Sequence, residues 1–142
     1  MRRSQPSFWG SRRHTAAQQH ARIKARFPQF ELVGYGTKAA WLGRFEPRPG
    51  SVYKIRIEYG VAGTPKALLV DPEMREGCPH TYGRGQMCVY WPKDPDNPGW
   101  QEDSWIADTI LPWSALWIHY YELWLETGEW LGPEASHAGP KE

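Results

Sequence analysis

The chain has 142 residues, a formal net charge of +1 and a hydrophobic content of 40%. This length suits one domain with a core of its own, and we treat residues 1–142 as a single domain. A net charge this close to zero excludes the strong overall field with which a protein attracts nucleic acid or an acidic membrane. We therefore expect neither of these as a partner.

Cysteine content and apolar runs indicate the compartment. The chain has two cysteines, too few for a disulfide framework. It lacks both an apolar run near the roughly 20 residues of a membrane span and the apolar region of a secretory signal. It also lacks the glycine motifs that bind nucleotide phosphates. The sequence thus predicts a cytoplasmic protein with free thiols and no cofactor.

The first predicted element is a helix that begins at Ser11 or Thr15 and runs to about Arg26. Serine and threonine are common N-caps, and Pro28 ends the helix because proline has no backbone donor. Residues 1–10 precede it as a loose tail. One face of the helix is basic, which is typical of a solvated surface; a docking surface for an acidic partner is the alternative.

Four strands are predicted next, at residues 30–36, 39–46, 52–59 and 67–70. The third is the clearest, because apolar and charged side chains alternate along it as in a strand with one solvated face. Residues 47–50 form one of the turns between the strands. Strands that follow one another through short turns pair as an antiparallel meander.

The second half of the chain holds seven of the nine tryptophans, between residues 91 and 130. This concentration predicts a large aromatic core, with an exposed aromatic surface for a partner as the alternative. A short helical turn and then a helix from about Thr109 to Thr127 are expected, with Gly128 at the usual left-handed end. Residues 133–142 form a loose tail. The whole predicts an α+β domain: an N-terminal helix, a four-stranded antiparallel meander, an irregular loop and C-terminal Trp-rich helices.

The irregular loop, Cys78 to Pro92, is called the reactive segment below. Its glycines and prolines oppose regular structure. It carries His80 and, eight positions later, Cys88. Loops that carry reactive residue types between packed elements are frequent sites of function.

Cys88 is the candidate nucleophile of the reactive segment. A reactive thiolate needs a lowered pKa or a nearby base. His80 is the candidate base, and the charge of Arg84 would stabilise a thiolate. The backbone N–H groups of Gly83 and Gly85 would offer a nest for an anion. Exposure of Cys88 favours this chemistry, whereas full burial favours its alternative, a small hydrophobic residue of the core.

Other functions use the same residue types. Cys78, His80 and Cys88 would form a zinc site with a further histidine, although this spacing is uncommon for zinc. A papain-like hydrolase needs a base histidine from elsewhere in the fold, for which His119 and His137 are candidates. His80 can equally be a structural histidine that bonds the loop backbone.

The order of elements and a sparse motif resemble the ubiquitin-conjugating enzyme (UBC) family. The matching residues lie in the strands, the reactive segment and just after it: Tyr53, Pro65, His80, Gly85, Cys88, Val89 and Trp100. In that family the loop reads HPN, then G-x-x-C-L, then W. The resemblance implies that Cys88 forms a thioester and that His80 shapes the loop.

Tyr82 stands where the family has the asparagine of HPN. That asparagine supports the loop and the oxyanion of the transfer step. The resemblance therefore implies that Tyr82, or a backbone N–H near Cys88, is the oxyanion donor. It also offers Asp103 and Asp108 as aids in deprotonating the incoming amine.

The pattern PH-x-Y, G-x-x-C, W-x-x-D, I-x-P-W and TG-x-W is similar to a bacterial branch of this family, over about residues 10–135. These are the stand-alone proteins of type II (short) CBASS antiphage operons. The resemblance implies an acyl transferase that carries a protein C-terminus on Cys88 and passes it to an amine. The implied donor is a cGAS/DncV-like nucleotidyltransferase. A catalytically inert scaffold that binds this nucleotidyltransferase, or a thiol hydrolase that removes conjugates, is the alternative.

Overall fold

The computed structural model describes residues 12–89 and 99–132, so both predicted tails lie outside the described part. Two helices, α1 (Ala16–Arg26) and α2 (Ile110–Thr127), flank an antiparallel sheet. The strands are β1 (Glu31–Gly34), β2 (Ala39–Arg48), β3 (Ser51–Tyr59), β4 (Lys66–Asp71), β5 (Thr81–Gly83) and β6 (Gln86–Met87). Short 3₁₀ helices lie at Gly36–Lys38 and Ile106–Asp108. The predicted α+β architecture is confirmed and is compatible with a UBC-like fold.

Helix α1 begins where the sequence predicts. Thr15 is the N-cap and forms a capping box with Gln18, whose N–H it accepts and whose side chain accepts the Thr15 N–H. The amide of Gln19 is buried, donates to the Tyr59 hydroxyl at 3.2 Å and accepts the N–H of Ile106 at 2.9 Å. A buried amide with these partners joins α1 to both β3 and the segment before α2.

The basic face of α1 is engaged within the molecule. Arg22 and Arg26 both pair with Asp108, Arg22 at 2.7 Å. Arg12, just before the helix, lies 3.6 Å from Asp103. These pairs are partly exposed, and such pairs contribute about 0–1 kcal/mol each. All three arginines are exposed, as a solvated face predicts, and they also contact the segment before α2. The docking surface stays a prediction.

The four predicted strands form the expected meander, and the sheet then continues. Within the described residues the strand order is β1-β2-β3-β4-β6-β5. Thr81 and Gly83 pair with Met87 and Gln86, so residues 81–87 form a hairpin. The prediction that the whole reactive segment lacks regular structure is therefore wrong over these residues. Strand β2 also runs through Pro47, which the sequence placed in a turn.

The core lies between the sheet and α2. Its largest fully buried side chains come from every layer: Trp41, Trp117, Tyr121, Phe30, Ile23, Ile55, Ile57, Met87, Ile106, Ile110, Leu111 and Ile118. Four more tryptophans pack against it with partial burial: Trp100, Trp113, Trp124 and Trp130. The aromatic core predicted from the tryptophan content is confirmed for these residues, while Trp91 lies outside the described part. Among the described residues, no helix is both long and apolar enough to cross a membrane.

One polar network crosses this core. The Tyr53 hydroxyl on β3 donates to the Glu122 carboxylate of α2 at 2.9 Å, and Arg48 lies 3.2 Å from the same carboxylate. Burial, followed by the bond to Glu122, raises the pKa of Tyr53 well above its usual value. The pair fixes α2 against the sheet.

Candidate active site

The β5–β6 hairpin determines where Cys88 lies. Its two-residue turn is Arg84-Gly85, with φ of +56° and +80°, as a type I′ turn requires. The Gly85 carbonyl accepts the N–H of Leu69 on β4 at 2.8 Å. A Cβ at Gly85 would lie 3.0 Å from the Leu69 carbonyl oxygen, so glycine is required there for both backbone and space. The hairpin is thus fixed to β4, and Cys88 directly follows β6.

Cys88 contacts His80 and Tyr82, which precede it in the reactive segment. Its N–H donates to the carbonyl of His80 at 3.0 Å, and its Sγ lies 3.4 Å from the Tyr82 hydroxyl oxygen. The Cys88 side chain is 0% exposed, whereas Tyr82 is 54% exposed. Full burial is the outcome that favours a core residue over a nucleophile. Chemistry at this sulfur therefore requires one of the groups that cover it to move.

His80 supports the segment through its backbone. Its φ of +55° lies in the left-handed region, uncommon outside glycine. Its carbonyl accepts the Cys88 N–H and also the indole N–H of Trp117 on α2, the latter at 2.9 Å. Its ring is buried and lies 5.1 Å from the ring of Trp130, centroid to centroid. Through its carbonyl, His80 thus bonds both the backbone at Cys88 and the side chain of Trp117, and its role as loop support stays a prediction.

Cys78 is buried, and its thiol donates to the Pro79 carbonyl at 3.2 Å. Burial raises the pKa of the Cys78 thiol to about 12. It stays protonated at neutral pH and is a poor nucleophile or metal ligand. Cys88 is buried as well, so it stays the candidate because of the sequence motif and its contact with Tyr82, and not because it is more exposed.

The anion nest expected at the glycines is only partly available. The Gly83 N–H donates to the Thr81 hydroxyl at 3.0 Å, and this bond closes the start of the hairpin turn. Arg84 is exposed at the tip of that turn. Its role toward a thiolate stays a prediction.

Comparison with known proteins identifies the family of the chain. Residues 19–138 match the family described as type II CBASS E2 protein. The chain belongs to this family. No curated protein matches it. The matched range of this E2 protein contains all six described strands, helix α2, most of helix α1 and the Cys88 site.

The other predicted residues make contacts elsewhere in the described part of the chain. In this E2 protein Asp108 accepts two arginines and Asp103 pairs with Arg12, so both carboxylates have internal partners. His119 is exposed on α2, with its ring 5.1 Å from that of Tyr120. His137 lies outside the described residues. Within the described ranges, no three His, Cys, Asp or Glu side chains are grouped as metal ligands would be.

Trp117 and Trp130 belong to the surroundings of the site, although the sequence predicted them only as core residues. The helical stripe of apolar positions in α2 indicated that Trp117 is buried. No periodicity indicates which buried tryptophan donates its N–H, or to which carbonyl. The bond from Trp117 to the His80 carbonyl occurs with the left-handed backbone of His80, which the sequence pattern does not predict.

Proposed function

We propose that this E2 protein is an acyl transferase with Cys88 as its nucleophile. In the proposed reaction Cys88 carries a protein C-terminus as a thioester and passes it to an amine, as part of CBASS antiphage defence. The contact between the Cys88 sulfur and the Tyr82 hydroxyl, 3.4 Å apart within the family match, carries the proposal. The proposed donor is the operon's cGAS/DncV-like nucleotidyltransferase.

The covalent steps are two exchanges at one carbonyl carbon. The Cys88 thiolate adds to the activated C-terminus of the donor, and the leaving group departs as the thioester forms. An amine then adds to the thioester carbon, loses a proton, and the thiolate leaves with the bonding electrons. The chain has no nucleotide-binding glycine motif, so activation of the carboxylate is assigned to a separate enzyme.

Tyr82 is the proposed oxyanion donor. Each exchange places negative charge on the oxygen of a carbonyl carbon bonded to Cys88 Sγ. A hydroxyl that already contacts this sulfur needs only a small rotation to reach that oxygen, and such a bond stabilises the transition state. His80 is the proposed support of the segment, and the described contacts of its carbonyl favour this role over that of a base.

Tyr82 is also the proposed cover of the thiol. It contacts the sulfur and is more than half exposed, so it can turn outward without disrupting the core. Movement of an exposed side chain takes nanoseconds or less and would not limit turnover. Once the thioester has formed, the Tyr82 hydroxyl would exchange its contact with the sulfur for a hydrogen bond to the thioester carbonyl oxygen.

A second candidate function is an inert scaffold that binds the nucleotidyltransferase without forming a bond to it. The full burial of Cys88 favours it, since a buried thiol also fits a hydrophobic residue of the core. A third, the thiol hydrolase, needs a base histidine with an acid behind it. Its candidate base His119 is exposed on α2, and the ring of His80 packs on Trp130. Neither observation favours a hydrolase.

The decisive experiment co-expresses the protein with its nucleotidyltransferase and with an activating enzyme supplied in trans. Wild type is expected to give a thiol-sensitive adduct on a non-reducing gel. Cys88→Ser should give a thiol-resistant ester, and Cys88→Ala should give no adduct. Cys78→Ala is the matched control and should behave as wild type. An intact complex without any adduct in wild type would establish the scaffold instead.

A further inference from the structure

The carbonyl oxygen of His80 is shared by two donors. The backbone N–H of Cys88 reaches it at 3.0 Å, and the indole N–H of Trp117 reaches it at 2.9 Å. A carbonyl oxygen has two lone pairs and can accept both bonds at once. Through this one atom, helix α2 is connected to the backbone of the candidate nucleophile.

The conformation of His80 makes this arrangement specific. A left-handed backbone at a residue other than glycine is sparsely populated and persists where the surroundings hold it. Tryptophans provide two of the contacts of His80: the indole N–H of Trp117 bonds its carbonyl, and the ring of Trp130 packs on its imidazole. The Trp130 ring in turn lies 5.5 Å from the ring of Trp117. Trp117 therefore contacts His80 both directly and through Trp130.

We propose that Trp117 is a positioning residue for Cys88. By fixing the His80 carbonyl, its indole N–H fixes the acceptor of the Cys88 N–H and hence the place of the sulfur beside Tyr82. The expected effect on the reaction rate rests on the proposed function. The expected effect on the Cys88 backbone does not. Displacement of a reacting group by about 1 Å can slow a reaction by about 100-fold, so a positioning role has a large measurable effect.

Trp117 is also a buried core residue, and the test must separate the two roles. Trp117→Phe keeps an aromatic ring and removes the N–H donor. Trp124→Phe is the matched control, because Trp124 is on the same helix and its ring also packs on Tyr121, at 5.9 Å against 5.2 Å for Trp117. Trp117 is fully buried and Trp124 only partly, so Trp117→Phe also leaves the larger buried space. Only Trp117→Phe loses a bond to His80, and the benzothienyl variant described below isolates that bond.

Both variants are prepared with Cys78→Ala, so that Cys88 is the only thiol. Three quantities are measured: the rate of adduct formation at saturating nucleotidyltransferase, the donor concentration at half that rate, and hydrogen exchange of the Cys88 amide. For Trp117→Phe we expect the saturated rate to fall about 10- to 100-fold, the half-saturating concentration to stay unchanged and the Cys88 amide to exchange faster. For Trp124→Phe we expect none of these changes.

Equal behaviour of the two variants would overturn the inference. If even the wild type forms no adduct, the proposed function fails, and faster exchange of the Cys88 amide in Trp117→Phe alone still supports the positioning role. If Trp117→Phe does not fold, β-(3-benzothienyl)alanine in its place removes only the N–H and keeps the ring shape. Unchanged exchange in that protein overturns the inference.

Discussion

At the scale of single residues, the site depends on groups whose roles the residue type does not determine. His80 contributes a carbonyl to two hydrogen bonds and a ring to an aromatic contact. The sequence identified it as either a base or a support, because both roles use the same side chain. The left-handed backbone angle of His80, at which its carbonyl accepts the Trp117 indole N–H of α2, could not be read from the residue type. The burial of Cys88 likewise follows from tertiary contacts that its neighbours in the sequence do not reveal.

Tyr82 is the residue whose role is easiest to isolate. Tyr82→Phe removes the hydroxyl beside Cys88 and keeps the ring. We expect the rate of thioester formation and discharge to fall by about 100-fold, the usual cost of removing one oxyanion donor. Single-turnover rates with purified donor measure it.

Tyr35→Phe is the control for that substitution, because Tyr35 is 74% exposed and lies outside the reactive segment. Its rates should equal those of wild type. Wild-type rates in Tyr82→Phe would instead assign the oxyanion bond to a backbone N–H. Neither variant should change the thermal midpoint, since both side chains are exposed.

At the scale of elements, alternation and helical stripes in the sequence predicted α1, the four meander strands and α2. The β5–β6 hairpin was missed because its strands have three and two residues, too few to show alternation. Its Arg-Gly turn also lacks the Asn-Gly or Asp-Gly signal of a two-residue hairpin. The arginine at φ +56° is tolerated because pairing on both sides defines the turn.

Gly85 tests how far the site depends on this hairpin. In Gly85→Ala the new Cβ meets both a positive φ and the Leu69 carbonyl oxygen at 3.0 Å. We expect a loss of unfolding free energy of about 1–3 kcal/mol and slower adduct formation on Cys88. Urea unfolding and the gel assay measure the two effects.

Gly77→Ala is the matched control, because Gly77 also has a positive φ, +84°, but has open space where the added methyl group would lie. It should lose less stability and keep adduct formation. Equal losses in both variants would show that backbone angle alone, and not the contact with β4, makes Gly85 necessary.

At the scale of the whole molecule, ion pairs between residues far apart in the sequence join α1 to the segment before α2. Asp108 receives both Arg22 and Arg26, and the buried amide of Gln19 completes the contact. The sequence showed the charges on α1 but could not pair them with partners more than 80 residues away. These pairs attach α1 to the rest of the domain.

Asp108→Asn distinguishes this structural role from a role in deprotonating the amine. We expect a loss of about 1 kcal/mol of unfolding free energy that shrinks at high salt, with thioester discharge to an amine unchanged. Asp103→Asn, which removes a longer pair at 3.6 Å, should cost less. A discharge rate that falls in Asp108→Asn at unchanged stability would restore the catalytic role.

The hydrogen bonds to the His80 carbonyl join residues that the ribosome synthesises at different times. Its partner Trp117 is 37 residues further along the chain, and Trp130 follows later still. A ribosome that has synthesised Cys88 has not yet made either tryptophan. On the role proposed for Trp117, the Cys88 thiol is positioned only once α2 has left the exit tunnel, and a chain that ends before Trp117 carries the cysteine without this contact.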